Sequence, residues 1–486
     1  MSSLSHIKVQ RGSVSFGASA GSTTVTITAV GSLTSAFAKV TGVHHGAADP
    51  TAGTTSNKNN DDDGAYALLT NTTTVTITLP VGRTAEDRTV YWEVWEYTGP
   101  AGGKYEFVVK EHTTNVIANG STSHTTTTNI AATAAHLAVI HCGQCNDSVG
   151  TQTYGNSLAV LSFTGTTPNL HVVASRGGNA QALNVAYALV EFTGSGWTVS
   201  QLQLATLAAS AIGADVSVAI SDVTDWTKAM ILHGGHSLQT ATCTNADVGV
   251  TIRPGADTTH VLGRLSSVHS NPGGTLVVFT VYVIYGPLLV TEYHDSITGG
   301  GSDFTGGGAA PQTTDVTITT LSDATHAAVM AYADSDSSAT SYPSSMWVYT
   351  LQDASTVRFF RARTVGGGDW AFGVYDFNTV GYVDFQISKA IVISTMTLTF
   401  QINPRLSLGL VLSKTLAFAV DYHLSRSISI SPSLRFTFNA PAMSRSITIA
   451  PTLALTHFAV GIAVRVTRVT AEWAVRRFHQ QLEPLT

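Results

Sequence analysis

The run His141-Cys142-Gly143-Gln144-Cys145 places an imidazole and two thiols within five residues. Neutral imidazole and thiolate suit a borderline-soft cation such as zinc, but a structural zinc site needs four such groups. The chain has three cysteines, Cys142, Cys145 and Cys243, and no second CxxC pair. The run therefore falls short of a zinc signature. His233-Gly-Gly-His236 stands at the corresponding place in a later repeat, so joint coordination would need two modules. The plainer reading is a pair of loop segments that follow strands.

Asn59, Asp61, Asp63 and Gly64 match positions 1, 3, 5 and 6 of a calcium loop. Position twelve is Thr70, without the carboxylate that closes the coordination sphere, so the EF-hand pattern fails. The DSDSS run at 334–338 is a weaker version. No G-x-S-x-G, Walker or dinucleotide-binding run lies in a strand–turn–helix context. The 17 histidines are scattered, and no pair of carboxylates stands out for glycoside hydrolysis. The expectation is a protein that is not an enzyme and takes no cofactor or metal.

What the sequence does carry is architecture. Val90–Gly99 reads VYWEVWEYTG, a strict alternation with Val90, Trp92 and Val94 on one side of a strand and Tyr91, Glu93, Trp95 and Tyr97 on the other. The pattern returns at Val185, Val277 and Trp370, that is, 95, 92 and 93 positions further on. One face stays apolar with an aromatic in the middle: Trp92, Tyr187, Phe279, Phe372. The other face drifts through Glu93, Ala188, Thr280 and Gly373. A fixed core face beside a variable outer face is the mark of a repeated sandwich domain. Tyr91, Glu93, Trp95 and Tyr97 are the candidate surface toward a partner or the next module.

Each copy contains several short β-rich runs separated by turn residues. The expected fold is all-β, with four tandem Ig-like or jelly-roll-like β-sandwich modules of about 93 residues. Their ranges are 1–100, 101–196, 197–288 and 289–380. Short linkers such as those after Gly99 and Gly194 favour a stacked or semi-rigid rod. An arginine recurs before each closing strand (Arg83, Arg176, Arg264, Arg363) and is expected to pair with loop carbonyls.

Residues 381–486 differ. Amphipathic runs follow one another closely, and SRSISISPSLRF at 425 returns as SRSITIAPTLAL at 444, a shift of 19. Period-2 patterning means a sheet with one apolar face. So small a unit is expected to complete its core with other copies of the chain, as a homo-oligomer such as a trimer. The end, 470–482, fits a short terminal helix with Ala474, Phe478 and Leu482 on one face.

The chain carries −6 overall, yet from Met396 onward nine basic and three acidic residues give +6, which leaves −12 for the body. A basic tail on an acidic body suggests docking on something acidic. Arg426, Arg445, Arg465, Arg468, Arg476 and Arg477 are the candidate anchoring surface. The N-terminus lacks a basic-then-apolar leader and no run of 18 apolar residues occurs, so neither classical secretion nor a membrane-spanning helix is expected. Nothing points to nucleic acid.

The segments IKVQRGSVSFGASAGSTTVTITAV (7–30), ALLTNTTTVTITLP (67–80) and VYWEVWEYTG together resemble a module of tailed-bacteriophage structural proteins. The resemblance covers the first copy, reaches the others through the repeat, and carries over no catalytic residue. It implies a virion component, such as a tail, neck or head fibre or a decoration protein. Its partners would be other copies, other virion proteins and host surface glycans. The alternative is a cell-surface adhesin or glycan-binding protein.

Overall fold

The computed structural model describes residues 4–17, 21–45, 64–79, 88–146, 158–178, 181–208, 214–221, 223–238, 250–265, 277–296, 312–333, 347–361 and 370–378, and seven strand segments between 399 and 457. The chain is all-β: among the described residues no helix reaches seven residues. It divides into Ser3–Thr379 and Val380–Thr486.

The first module runs through β1 (Ile7–Phe16), β2 (Ser22–Thr26), β3 (Ala36–His45), β4 (Ala65–Asn71), β5 (Thr74–Thr78) and β6 (Arg88–Tyr97). One sheet has the order β1-β6-β3; β2, β5 and β4 are neighbours in the other. First strand beside sixth and second beside fifth, divided between two sheets, is the order of a jelly roll wound from a folded hairpin. The order recurs three times. The second module has β7 (Val108–Ile117), β8 (Ser123–Thr125), β9 (Leu137–Asn146), β10 (Val160–Thr166), β11 (Asn169–Ser175) and β12 (Leu183–Glu191). The third has β13 (Thr198–Leu207), β14 (Val216–Ala219), β15 (Ala229–Leu238), β16 (Thr251–Pro254), β17 (His260–Arg264) and β18 (Val277–Tyr285). The fourth has β19 (Val290–Asp295), β20 (Gln312–Thr317), β21 (Ala327–Ala333), β22 (Trp347–Asp353), β23 (Thr356–Arg361) and β24 (Trp370–Asp376).

Alternation decides what each sheet buries. In β6, Val90, Trp92 and Val94 pack inside the first sandwich with Phe16, Ile27, Ala38, Val75 and Ile77. In β24, Trp370, Phe372 and Val374 do the same against Val329, Val357 and Phe359. Each large apolar side chain so buried contributes roughly 1.5–3 kcal/mol before entropy is counted. A larger cluster joins the second and third sandwiches to residues of the other two, among them Phe37, Trp95, Tyr332 and Phe377.

Sheets also run through module boundaries. The fourth strand of the first module, β4, pairs with the third of the second, β9, at Ala65–Gln144 and Tyr66–Gly143. Likewise β10 pairs with β15 at Val160–Gly235. Both meet a β-bulge: β9 shifts register on β12 and β15 shifts on β18. Gly143 has φ +111° and Gly235 φ +87°. A Cβ on Gly143 would land on the Ala65 carbonyl oxygen, and one on Gly235 would lie 2.5 Å from the Ala159 oxygen. Glycine is needed for both the backbone angle and the close approach.

The second unit is built differently. β25 (Thr399–Ile402), β27 (Ala417–Val420), β29 (Arg435–Phe438) and β31 (Ala454–His457) form one parallel sheet. β26 (Val411–Leu412), β28 (Ile428–Ile430) and β30 (Ile447–Ile449) form a second. Thr399 pairs with Ala417 and Ala417 with Arg435, 18 positions on each time. Arg435 pairs with Ala454 and Ile428 with Ile447, 19 positions on. The chain therefore alternates between two sheets and returns to each after one turn, as in a β-solenoid. Consecutive amphipathic runs are not neighbours in one sheet. The 19-residue shift of the sequence is one turn of the coil. Residues 470–482, where a helix is expected, lie outside the described residues.

Candidate functional site

Several buried polar and charged side chains of the first unit meet at the junctions between modules. Four such junctions occur, and the fourth joins the last module to the first.

Each junction sets a first strand against the start of the preceding module's third strand. Between modules one and two, the Val109 N–H donates to Thr34 O at 2.8 Å, and His112 Nε2 lies 3.0 Å from Ala38 O. Burial pushes the His112 imidazole down to about 4, so it is neutral, with Nε2–H donating. Between two and three, Gln201 Nε2 donates to Ala134 O at 2.6 Å and Leu137 O at 2.8 Å. Between three and four, Tyr293 Oη donates to Ala229 O at 3.0 Å. Tyr332 and Tyr375 both donate to Ile231 O, at 3.1 and 2.9 Å. Arg253 there reaches Asp295 at 3.4 Å and Asp215 at 2.5 Å.

Between four and one, Arg11 Nη1 donates to Ala324 O at 2.8 Å and Nη2 donates to Ala327 O. Lys39 Nζ donates to Val329 O at 3.3 Å and lies 3.2 Å from Tyr349 Oη. Arg11, His112 and Tyr293 stand opposite Glu93, Ala188 and Gly373 respectively, the same position of the repeat. Gln201 lies two residues away, beside a bulge in β13. The four contacts are thus quasi-equivalent, and the modules close into a cycle. The sequence suggests a rod because short linkers constrain only consecutive modules.

The closing junction holds a buried charge network. Glu93 pairs with Lys39 at 3.3 Å and with Arg11 at 3.6 Å, and it accepts from Trp95 Nε1 at 3.0 Å. Burial disfavours the Lys39 charge, but Tyr349 and Glu93 more than offset this and hold its pKa above the usual value. Trp95 packs edge-on to Phe377 at 5.8 Å between centroids, and Lys39 Nζ sits 5.7 Å from the Trp95 ring.

The four candidate residues of the outer face of β6 divide between two neighbours. Tyr91, half-buried, has its phenol pushed up by burial against the opposing pull of Arg358 in module four. Glu93 and Trp95 are buried against module four, as above. Tyr97 is buried, donates to Pro100 O at 3.0 Å, and lies 6.1 Å from Phe107 at the entrance to module two.

Arg426, Arg445, Arg465, Arg468, Arg476 and Arg477 lie outside the described residues, as do Asn59, Asp61 and Asp63. Cys142 and Cys145 are both buried, and His141 Nε2 lies 3.1 Å from Gln144 Oε1. Among the described residues no group of three or more His, Cys, Asp or Glu is placed to hold a metal ion. None of their helices is long and apolar enough to cross a membrane. Of the recurrent arginines, Arg176 donates to the carbonyls of Ala118, Ser121 and Gln181, the loop-carbonyl role expected of it.

Arg11, Lys39, His112, Gln201, Tyr293 and Arg253 escape sequence comparison. Four of them occupy one structural role with four different side chains, so alignment of the copies discards them. Lys39 alone leaves a trace, as a single charge inside the apolar run AFAKV.

Compared with protein-family models and with curated proteins, the chain matches none.

Proposed function

We propose that the chain is a non-enzymatic structural component of a bacteriophage virion, of the fibre or decoration type. In this reading the four jelly rolls form one stiff building block. The coiled C-terminal unit mediates homo-oligomerisation or anchoring, with its arginines toward an acidic partner.

The observation that carries a structural role is the cyclic set of junctions. The aromatic and charged side chains on the outer faces of the first, third and sixth strands hold module against module. A scaffold that must resist deformation gains from such quasi-equivalent contacts, because opening one junction breaks apolar packing and hydrogen bonds together. Assignment to a virion rests on the resemblance of the first module to tailed-phage structural proteins.

Mass photometry and negative-stain imaging of the full chain test the assembly part. The expected result is a discrete multimer that displays compact four-module heads. A monomer at micromolar concentration would remove the C-terminal unit as an oligomerisation element. Antibodies raised against the chain should label intact phage particles produced by a culture that expresses it; labelling of the bacterial envelope instead would favour an adhesin.

A further inference from the structure

The third strands of all four modules bring side chains to one place. Lys39 of β3 contacts β21 through Val329 O and Met330 Sδ. His141 of β9 and His233 of β15 have ring centroids 6.3 Å apart. Tyr332 of β21 stands edge-on to His233 at 5.2 Å, and His236 lies 5.8 Å from His233 on its own strand. The His233 Nε2 atom is sealed from solvent and has no hydrogen-bond partner.

Protonating His233 in the closed cycle would place a second N–H where no acceptor waits, beside other cationic groups. The titratable groups that reach it from the elements around it are His141 and Cys142 on β9, Tyr282 on β18, Tyr293 on β19, Tyr332 on β21, Tyr375 on β24 and His236 on its own strand, with Lys39 of β3 beyond them. The carboxylate of Glu93, which pairs with Lys39, is already engaged by Lys39 and Arg11. In water both imidazoles would accept a proton below about pH 6.5.

We infer that this convergence of third strands is an acid-sensitive element, and that the module junctions loosen as the medium acidifies. Burial, then His236, His141 and Lys39, hold the His233 pKa well below its ordinary value. Burial also lowers His141, against the pull of Gln144. Because the closed state binds fewer protons than the open one, its stability is full above about pH 6.5 and falls as the pH drops below that value. Between pH 7.5 and 5.5 the closed-to-open ratio should fall by up to about tenfold for each of the two histidines.

Hydrogen–deuterium exchange of the full chain at pH 7.5 and 5.5, corrected for the intrinsic pH dependence of exchange, tests the inference. Peptides spanning β3, β9, β15 and β21 should lose protection at the lower pH in the wild type. The loss should shrink in His233→Gln, whose amide does not titrate in this range. Equal protection of the wild type at both pH values overturns the inference, and so does an undiminished loss in the variant. Should His233→Gln fail to fold at pH 7.5, His141→Gln is read in the same way.

Discussion

Lys39 and Glu93 are register partners across β3 and β6, and their side chains pair at 3.3 Å while only 1% and 4% exposed. The pair lies on the face of the first module that meets the fourth, at the one junction that no peptide linker enforces. Elsewhere the chain fixes which module is the neighbour; here the side chains must do so. A buried pair is costly to desolvate, and removing one partner costs more still, because the other charge is left buried and uncompensated.

Removing the acid alone should therefore be severe. Glu93→Gln leaves Lys39 and Arg11 uncompensated, and a loss of roughly 3–5 kcal/mol is expected from breaking a buried pair. Urea unfolding followed by tryptophan fluorescence measures it. The double variant Lys39→Met/Glu93→Gln should recover part of the loss, because the burial penalty of the lysine is gone.

The bulge glycines should tolerate no side chain. Gly143→Ala combines a positive φ with a collision against the Ala65 carbonyl, and about 3 kcal/mol or more is expected. Gly102 also has a positive φ, +73°, but nothing lies within 4 Å of its Cβ position. Gly102→Ala should cost about 1–2 kcal/mol. Differential scanning calorimetry of the two variants separates junction packing from backbone strain.

Arg176→Ala should remove the guanidinium's hydrogen bonds to three loop carbonyls in the second module. Hydrogen bonds from a charged donor contribute roughly 1.5–3 kcal/mol each in favourable cases, so a loss of about 3 kcal/mol is expected in thermal unfolding. Lysine at this position should rescue little, since one ammonium cannot reproduce the guanidinium fork.

Stability should also depend on His112. Its pKa is lowered to about 4 by burial. The unfolded chain takes up that proton first, so the wild type loses stability as the pH falls from about 6.5 toward 4. His112→Gln should flatten that part of a melting-temperature profile and leave the profile above pH 7 parallel to the wild type.

The thiols offer a simple check of burial. Burial pushes the Cys142 pKa up, and thiolate is the reactive form. Cys142 should resist iodoacetamide at pH 8 in the native chain and react once guanidinium is added, as read by peptide mass mapping.

Much of the fold is legible in the sequence. A strand's side chains alternate with period two, so the fixed face through Trp92, Tyr187, Phe279 and Phe372 declares itself as core wherever the copies are compared. The same period displays the opposite face, Tyr91, Glu93, Trp95 and Tyr97, without saying what covers it. Local pattern is blind to that, because the covering residues lie near Lys39, Met330 and Tyr349, up to about 310 positions apart along the chain.

By itself, the sequence determined four repeated all-β modules, their core faces and a 19-residue recurrence in the tail; these follow from backbone geometry acting over a few residues. Only the tertiary structure decided that the modules close into a cycle, that Gly143 and Gly235 seat a neighbouring strand, and that the tail strands pair in parallel with strands two ahead. Such choices depend on which distant surfaces fit and neutralise one another, as Lys39 and Glu93 do.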